Sequence, residues 1–473
     1  MIQASRIKLS DFKINIGKRL LGVLLLFLAP SITMGDTKPE GLRSDSIYAQ
    51  MRKVADWQWQ SLASEGFKRP KTDWTNGVLY AGMMEWSKIA NDKTYYNHLL
   101  KTGDDTKWRL GKNRHFADDY CVGQAYSQLY EIYKDPLYIK DFKQLADTLT
   151  IIPHNESLLW VNKIYHREWA WCDALFMGPP ALAYLTRATG DQKYLNMASK
   201  LWWKTSDYLY DRKERLYYRD SRYFDKKESN GEKVFWSRGN GWVMGGLVRV
   251  LDVMPQKHPD RKKFEKQLKE MAGKIASIQQ PDGTWHASLL DPGAFPSKET
   301  SGTAFYCYAL AWGINNGILP YNKFYPVVSK AWQALSTSVH PNGKLGYVQP
   351  LGIAPAKTSF NDTNVYGVGA FLMAGVEMIE LDLAKRKNVF SVSVDNGTPV
   401  SSFKTETIDW KSVKKRIGKI GSENIAVYNA ITGETIPHQV IYNDRKKPQA
   451  ITFQPSISSG TTLYFEVKSG VNY

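Results

Sequence analysis

From about residue 45 to 382, apolar residues recur every three to four positions, the spacing of one face of a helix. Short polar turns interrupt this pattern again and again. One kind of turn sets a few polar residues before an aromatic, at Asn91-Asp92-Lys93-Thr94-Tyr95, Lys134-Asp135-Pro136-Leu137-Tyr138 and Gly190-Asp191-Gln192-Lys193-Tyr194. Each predicts a new amphipathic helix after an apolar one. A second kind ends a helix and leads into a short extended run, at Tyr210-Asp211-Arg212-Lys213, Pro281-Asp282-Gly283-Thr284-Trp285 and Pro341-Asn342-Gly343-Lys344-Leu345. Asp-Gly and Asn-Gly suit such turns because they tolerate positive φ. The repeating unit is therefore a helical hairpin plus a loop, about six of which fit the segment, and such units bury their apolar faces only by packing side by side. The stretches 169–185 and 242–253 are apolar nearly all round, as helices enclosed on both sides must be. This favours a closed double ring of helices, an (α/α)6 barrel, over an open solenoid.

The pattern changes near residue 384. After Lys385-Arg386-Lys387, short β-rich runs follow at 389–394, 425–428, 439–442, 450–453 and 462–467, separated by Gly, Asn and Pro. Residues 385–473 are expected to form a small β-sandwich that packs against the barrel, with sugar binding as the alternative role. At the other end, Lys18 and Arg19 precede the apolar run 20–29, and small or polar residues follow through Gly35. Residues 1–35 read as a signal peptide, too short in its apolar part to span a membrane as a mature helix. Export to the periplasm, or secretion, is expected, with the barrel at 36–384.

Charge narrows the partners. The chain carries +17, and residues 1–35 hold Arg6, Lys8, Lys13, Lys18 and Arg19 against Asp11, so +13 stays with the remainder. A basic balance suits a polyanion. The basic residues are scattered except near 411–419, and no zinc-finger, helix-turn-helix or RNA-binding signature is present. An acidic oligosaccharide therefore ranks above nucleic acid. The 16 Trp and 27 Tyr fit either core packing or stacking on sugar rings. The three cysteines (Cys121, Cys172, Cys307) lie in apolar helical patterns and match neither a disulfide framework nor a metal site. No phosphate-binding loop, dinucleotide fingerprint or zincin motif is present, so no cofactor or metal is implied.

Three elements carry chemistry. Asp173 stands alone in the apolar stretch Trp169-Ala170-Trp171-Cys172-Asp173-Ala174-Leu175-Phe176-Met177. A desolvated carboxyl holds its proton to higher pH, as a general acid must; a capping or Arg-paired Asp is the bland alternative. Asp118 and Asp119 are adjacent in His115-Phe116-Ala117-Asp118-Asp119-Tyr120-Cys121-Val122-Gly123, so on a helix only one faces a central cleft. The other is expected to cap or to hydrogen-bond nearby. In Trp236-Ser237-Arg238-Gly239-Asn240-Gly241-Trp242 the Arg can grip a carboxylate with two parallel bonds and the tryptophans can stack on a sugar. Lys163, His166, Trp74-Thr75-Asn76-Gly77 and Glu299-Thr300-Ser301-Gly302-Thr303 are weaker signals, each explicable as a helix entry.

With these residues in view, the chain resembles the unsaturated glucuronyl and rhamnogalacturonyl hydrolases, glycoside hydrolase families 88 and 105, and family 105 more closely. The resemblance covers roughly residues 45–382. Trp171-Cys172-Asp173 matches the family's Trp-x-Asp, whose Asp is the general acid and base. Asp118, with Gly123 five residues on, matches the other essential Asp. Trp236, Arg238 and Trp242 match Trp-x-Arg-Gly-Asn-x-Trp of the substrate site. Lys163 sits near the family's His-Lys position, with Asn162 where the His is expected. The resemblance implies a substrate whose terminal uronic acid carries a C4=C5 double bond. Asp173 protonates C4 and then activates the water that adds at C5, and the hemiketal opens to release the next sugar. It also implies that Asp118 orients Asp173 and the ring hydroxyls, while Trp171, Trp236, Arg238, Trp242, Lys163 and Asp119 contact substrate. A rhamnose-linked acceptor is expected, pectic or, given the basic charge, 3-sulfated as in ulvan. A lyase or epimerase on the same barrel and a non-catalytic glycan binder are the rival readings.

Overall fold

The computed structural model describes residues 40–393, 402–403, 405–418, 421–457 and 460–469. The expected signal peptide, Val394 and Lys419 lie outside them.

The predicted turns build the fold. At Asn91, Lys134 and Gly190 the backbone enters the left-handed region (φ 49°, 59° and 77°) and ends a helix. The carboxylate that follows, on Asp92, Asp135 or Asp191, accepts a backbone N–H from the first turn of the next helix, at Thr94, Leu137 or Lys193. A left-handed residue and a carboxylate cap thus reverse the chain within a few residues.

Twelve α-helices are linked in this way or by longer loops: α1 (Ser44–Glu65), α2 (Trp74–Ala90), α3 (Lys93–Asp105), α4 (Gly123–Tyr133), α5 (Leu137–Ile151), α6 (Ala174–Thr189), α7 (Gln192–Leu209), α8 (Ser237–Val253), α9 (Arg261–Ser277), α10 (Thr300–Asn315), α11 (Tyr321–Ser336) and α12 (Val365–Leu383). The even-numbered helices pack on one another in order, and α12 closes on α2. The odd-numbered helices lie outside, each against an inner neighbour. Sequence separates the two rings. In α9 the buried residues Phe264, Leu268, Met271, Ala272 and Ile275 form one stripe, whereas α10 is buried from Thr300 through Ile314. The closing seam is backbone against backbone. A Cβ on Gly82 would lie 2.2 Å from the Gly369 carbonyl oxygen, and one on Gly369 equally near that of Val78. Any side chain there would prise α2 from α12.

Two expectations need correction. The run 169–185 is not one helix: α6 starts only at Ala174, because the Cys172 N–H is turned aside to the Arg219 carbonyl at 2.9 Å. Asp173 is therefore the residue at the entrance of α6, not one inside it. Pro179 and Pro180 then lie within α6; Pro180 brings no N–H to the Phe176 carbonyl, which takes its bond from Gln124 Nε2 at 2.9 Å instead. The run 242–253 also differs, since α8 already begins at Ser237.

Beyond α12 the chain forms two main antiparallel sheets. One runs, in spatial order, Val389–Ser393, Thr462–Ser469, Ile425–Asn429 and Thr435–Ile436; the other Glu406–Asp409, Pro448–Phe453 and His438–Tyr442. They share a small core that includes Val427, Ile451, Phe453, Phe465 and Val467. Most of the basic cluster near 411–419 lies on a short helix, α13 (Trp410–Ile417), capped by Asp409 and seated through Trp410 and Val413. This unit contacts the barrel near the C-terminal ends of the inner helices. Tyr464 donates to Glu380 of α12 at 3.0 Å, and Tyr96 donates to the Gly460 carbonyl at 2.8 Å. Among the described residues no helix is long and apolar enough to cross a membrane.

Candidate active site

Connection through an antiparallel outer helix makes the six inner helices parallel, so their N-termini ring one mouth. Close approaches between helix entrances show this directly. Gly77 of α2 abuts Cys121 and Val122 before α4, Gly239 of α8 abuts Cys172 before α6, and Gly241 of α8 abuts Gly302 of α10. Every chemical element singled out in the sequence lies at this end. Helix N-termini carry partial positive charge and unpaired N–H groups, which favours an anionic guest.

Asp173 stands at the entrance of α6. Its Oδ2 lies 3.6 Å from Arg219 Nε and receives the Cys172 thiol at 3.4 Å. Burial raises its carboxyl above the usual range, opposed first by the charge of Arg219 and then by that of Arg238. Asp118 lies in a 3-10 turn (Ala117–Tyr120) before α4. Its carboxyl has no hydrogen bond or ion pair among the described residues. Burial pushes it well above the usual carboxylate range, and the neighbouring Asp173 pushes it further. The two acids therefore repel each other in a desolvated setting, with a proton to share.

Asp119 turns the other way. Its Oδ2 accepts the Asn113 N–H at 2.5 Å, and its carbonyl accepts that of Gly111 at 3.2 Å. It braces the loop ahead of the mouth; it caps no helix and does not contact Asp173. Lys163 is exposed, in a left-handed turn with Asn162, and its ammonium has no partner among the described residues.

The Trp-x-Arg element, expected to contact substrate, is buried and bonded to the protein itself. Arg238 is 1% exposed. Its Nη1 donates to the Gln349 carbonyl at 2.8 Å, and Nη2 to those of Pro350 and Gly352 at 3.2 and 3.4 Å. The guanidinium ties down the loop at 349–352, between the rings of Trp236 and Tyr366, and has no free fork for a substrate carboxylate. Trp236 donates Nε1 to Gln349 Oε1 at 2.9 Å, holding the same loop. Trp242 is fully buried among Trp74, Phe176, Phe305 and Tyr366, so it is core. Glu299 caps α10, accepting the N–H groups of Ser301 and Gly302 at 2.9 and 2.7 Å.

The half-buried aromatics at the mouth are others. Trp74 stacks on Tyr366. Trp160 meets the edge of Trp171, whose own face is covered by Phe116. Beside Trp160 lie Arg219, Asp220 and Arg222, which the sequence reading missed. They belong to no recognisable motif; the only hint was their position just after a predicted turn, in a loop of the same end. Among the described residues no cluster of His, Cys, Asp and Glu is arranged to hold a metal ion.

A double ring of helices with two adjacent desolvated carboxyls, one of them beside Arg219, and aromatic walls at one mouth suits a carbohydrate-active barrel. The sequence profile described as Glycosyl Hydrolase Family 88 matches residues 49–382, and the chain belongs to this family of glycoside hydrolases. An unsaturated 3S-rhamnoglycuronyl hydrolase from Formosa agariphila is 38% identical over 354 residues, 72% of this chain and 93% of the relative. A solved family 88 glycosyl hydrolase from Bacteroides vulgatus superposes with a TM-score of 0.64 at 31% identity, covering 71% of this chain and 99% of that one. A solved protein named as a polysaccharide lyase superposes with a TM-score of 0.65 at 32% identity, covering 72% and 98%.

Proposed function

We propose that this enzyme removes a terminal 4,5-unsaturated uronic acid from rhamnose-linked oligosaccharides left by a polysaccharide lyase. The observation that carries the reading is the Asp173 and Asp118 pair, two desolvated carboxyls that share one mouth without a full counter-charge. The name of the Formosa relative supports the same substrate class.

In this reading Asp173 gives its proton to C4 of the alkene. Positive charge develops at C5, beside the ring oxygen. Water adds at C5 and loses a proton to Asp173, which is restored as the acid. The C5 hemiketal then opens to a ketone, and the bond from C1 to the next sugar breaks with release of that sugar's hydroxyl. Asp118 shares the proton of the pair with Asp173 and orients it. Ordinary glycosidases also use two carboxyls, but they act at the anomeric carbon. The +13 charge outside residues 1–35 and the relative's 3S designation support a 3-sulfated rhamnose as acceptor. The basic and apolar run at 18–29 supports export to the periplasm.

The test follows the ultraviolet absorbance of the conjugated alkene after enzyme is added to unsaturated disaccharides from ulvan and from pectin. Falling absorbance is expected, faster on the ulvan product. A flat trace on both would leave a different acceptor or a glycan binder. Rising absorbance on intact polymer would mean a lyase, the activity named for one of the solved neighbours.

A further inference from the structure

Arg219 is held in an unusual state. It follows the short strand Leu216–Tyr217, and its side chain is 10% exposed. The fully buried carboxylate of Asp220 accepts Arg219 Nη1 at 2.7 Å. The same carboxylate takes both Nε and Nη2 of Arg222, at 2.9 and 2.8 Å. Both guanidiniums lie on the ring of Trp160, 4.7 and 4.6 Å from its centre. One carboxylate thus gathers two cations, and a net positive charge remains at the mouth.

The two arginines differ in what is left over. Arg222 spends its side-on fork, Nε with Nη2, on Asp220. Arg219 bonds Asp220 through Nη1 alone, so its side-on fork is free. Nε is buried without a hydrogen bond, and it points at Asp173 Oδ2 from 3.6 Å, beyond hydrogen-bond reach. A buried charged donor without an acceptor is unfavourable, and a planar carboxylate fits this fork with two parallel bonds.

We infer that Arg219 is the residue that reads the uronate carboxylate of the substrate, gripping it through Nε and Nη2. This rests on the reaction proposed above. The carboxylate carbon is bonded to C5, and C4, which receives the proton, is the next ring atom. A carboxylate on the fork therefore sets C4 against Asp173. Arg238, the other candidate, also has a buried Nε without a hydrogen bond, but both of its Nη atoms are taken by three loop carbonyls, so no two adjacent donors are left for a carboxylate. Docking also acts on the acid. Arg219 is the chief charge opposing the rise of the Asp173 carboxyl, and a bound carboxylate neutralises it. The proton then favours Asp173 once substrate is in place.

The experiment measures kcat/KM on an unsaturated uronide as free acid and as methyl ester, each with sulfated and desulfated acceptor. The native enzyme is expected to prefer the acid by on the order of 10²-fold or more. In Arg219→Ala that preference collapses, while the preference for the sulfated acceptor is retained. Arg219→Lys, which keeps the charge without the fork, falls between the two. Loss of general structure cannot move the acid-to-ester ratio selectively, and circular dichroism checks the fold; if the Ala variant does not fold, the Lys variant carries the test. If either variant retains the full acid preference, the assignment is overturned. It is overturned equally if the sulfate preference is what disappears, since the fork then reads the acceptor. If the native enzyme consumes no alkene on any of these substrates, the proposed reaction itself fails.

Discussion

The two ends of the inner ring hold carboxyls in similar enclosure and treat them in opposite ways. At the C-terminal end, Glu85 of α2 is paired with Lys88, lies 3.3 Å from Arg249 Nη1 and accepts Gln128 Nε2 at 3.0 Å. Arg249 is itself fully buried, donates Nε to Gln124 Oε1 at 2.5 Å and lies over Tyr184. Against the desolvation it suffers, Glu85 is pulled down to about 2. At the N-terminal end, Asp118 has no such partner and is pushed up. Glu377 shows which difference matters. It shares the Glu85 end and accepts Asn315 Nδ2 at 2.7 Å, yet burial and the neighbouring Glu380 still raise it well above the usual range. A neutral hydrogen bond does not rescue a buried carboxylate; a cation does. Burial is common to all three, so burial alone does not mark a catalytic acid. The mouth is distinct because its two acids adjoin each other at the helix entrances, with the Arg219 guanidinium 3.6 Å from one of them.

The largest expected effect tests the mouth. Asp173→Asn keeps the shape and removes the proton donor, so kcat on the unsaturated disaccharide is expected to fall by about 10²–10⁴-fold. Circular dichroism should be unchanged. Full activity in this variant would remove Asp173 from the chemistry and leave the contrast between the two ends without a function. The next effect tests the base. Arg249→Met leaves Glu85 with Lys88 alone and strips Gln124 and Gln128 of their cation. Breaking a buried pair by removing one partner costs about 3–5 kcal/mol, which urea unfolding can read. KM of the folded fraction is expected to stay constant. A stability change below about 1 kcal/mol would mean that the base is not held by charge pairing.

The repeat was legible because turn chemistry is local. Asn91, Lys134 and Gly190 with their following carboxylates announce each reversal, and the all-apolar stretches announce the inner ring. Asp173 and Asp118 stood out for a related reason: a charged residue in an apolar stretch is visible without coordinates. What failed depended on long-range bonds. The start of α6 is set by a hydrogen bond from Cys172 to Arg219, 47 positions apart in the chain. The burial of Arg238 is set by the carbonyls of residues 349–352, which no local pattern reveals. Arg219 and Arg222 sit in a polar loop, where two arginines look like any solvated pair. Only the fold places Asp220 between them and Trp160 beneath them. The helix α13 was hidden by its composition, since most of its residues are basic or exposed and its buried anchors are Trp410 and Val413.

The smallest effect is the sharpest on sign. Asp118 has a folded-state carboxyl raised above its unfolded value near 3.9, the ordinary value for Asp. Across the interval between the two, the folded chain binds more protons than the unfolded chain, so stability falls as pH rises through it. Glu85 works in reverse: lowered to about 2, it contributes stability that is full above the unfolded value and lost as pH falls toward 2. Asp118→Asn removes the first titration and leaves the second. The variant is therefore expected to be inactive yet more stable than the native enzyme at neutral pH, by about 1–3 °C in Tm. The gain should shrink toward zero below about pH 3, under the unfolded value, where Asp118 is protonated in both states, and both proteins should share the loss from Glu85 over the same range. An equal gain at both pH values would assign it to packing instead of charge. A loss of stability at neutral pH would mean that the Asp118 carboxyl is bonded in the native enzyme, and the mouth would then resemble the base it is contrasted with.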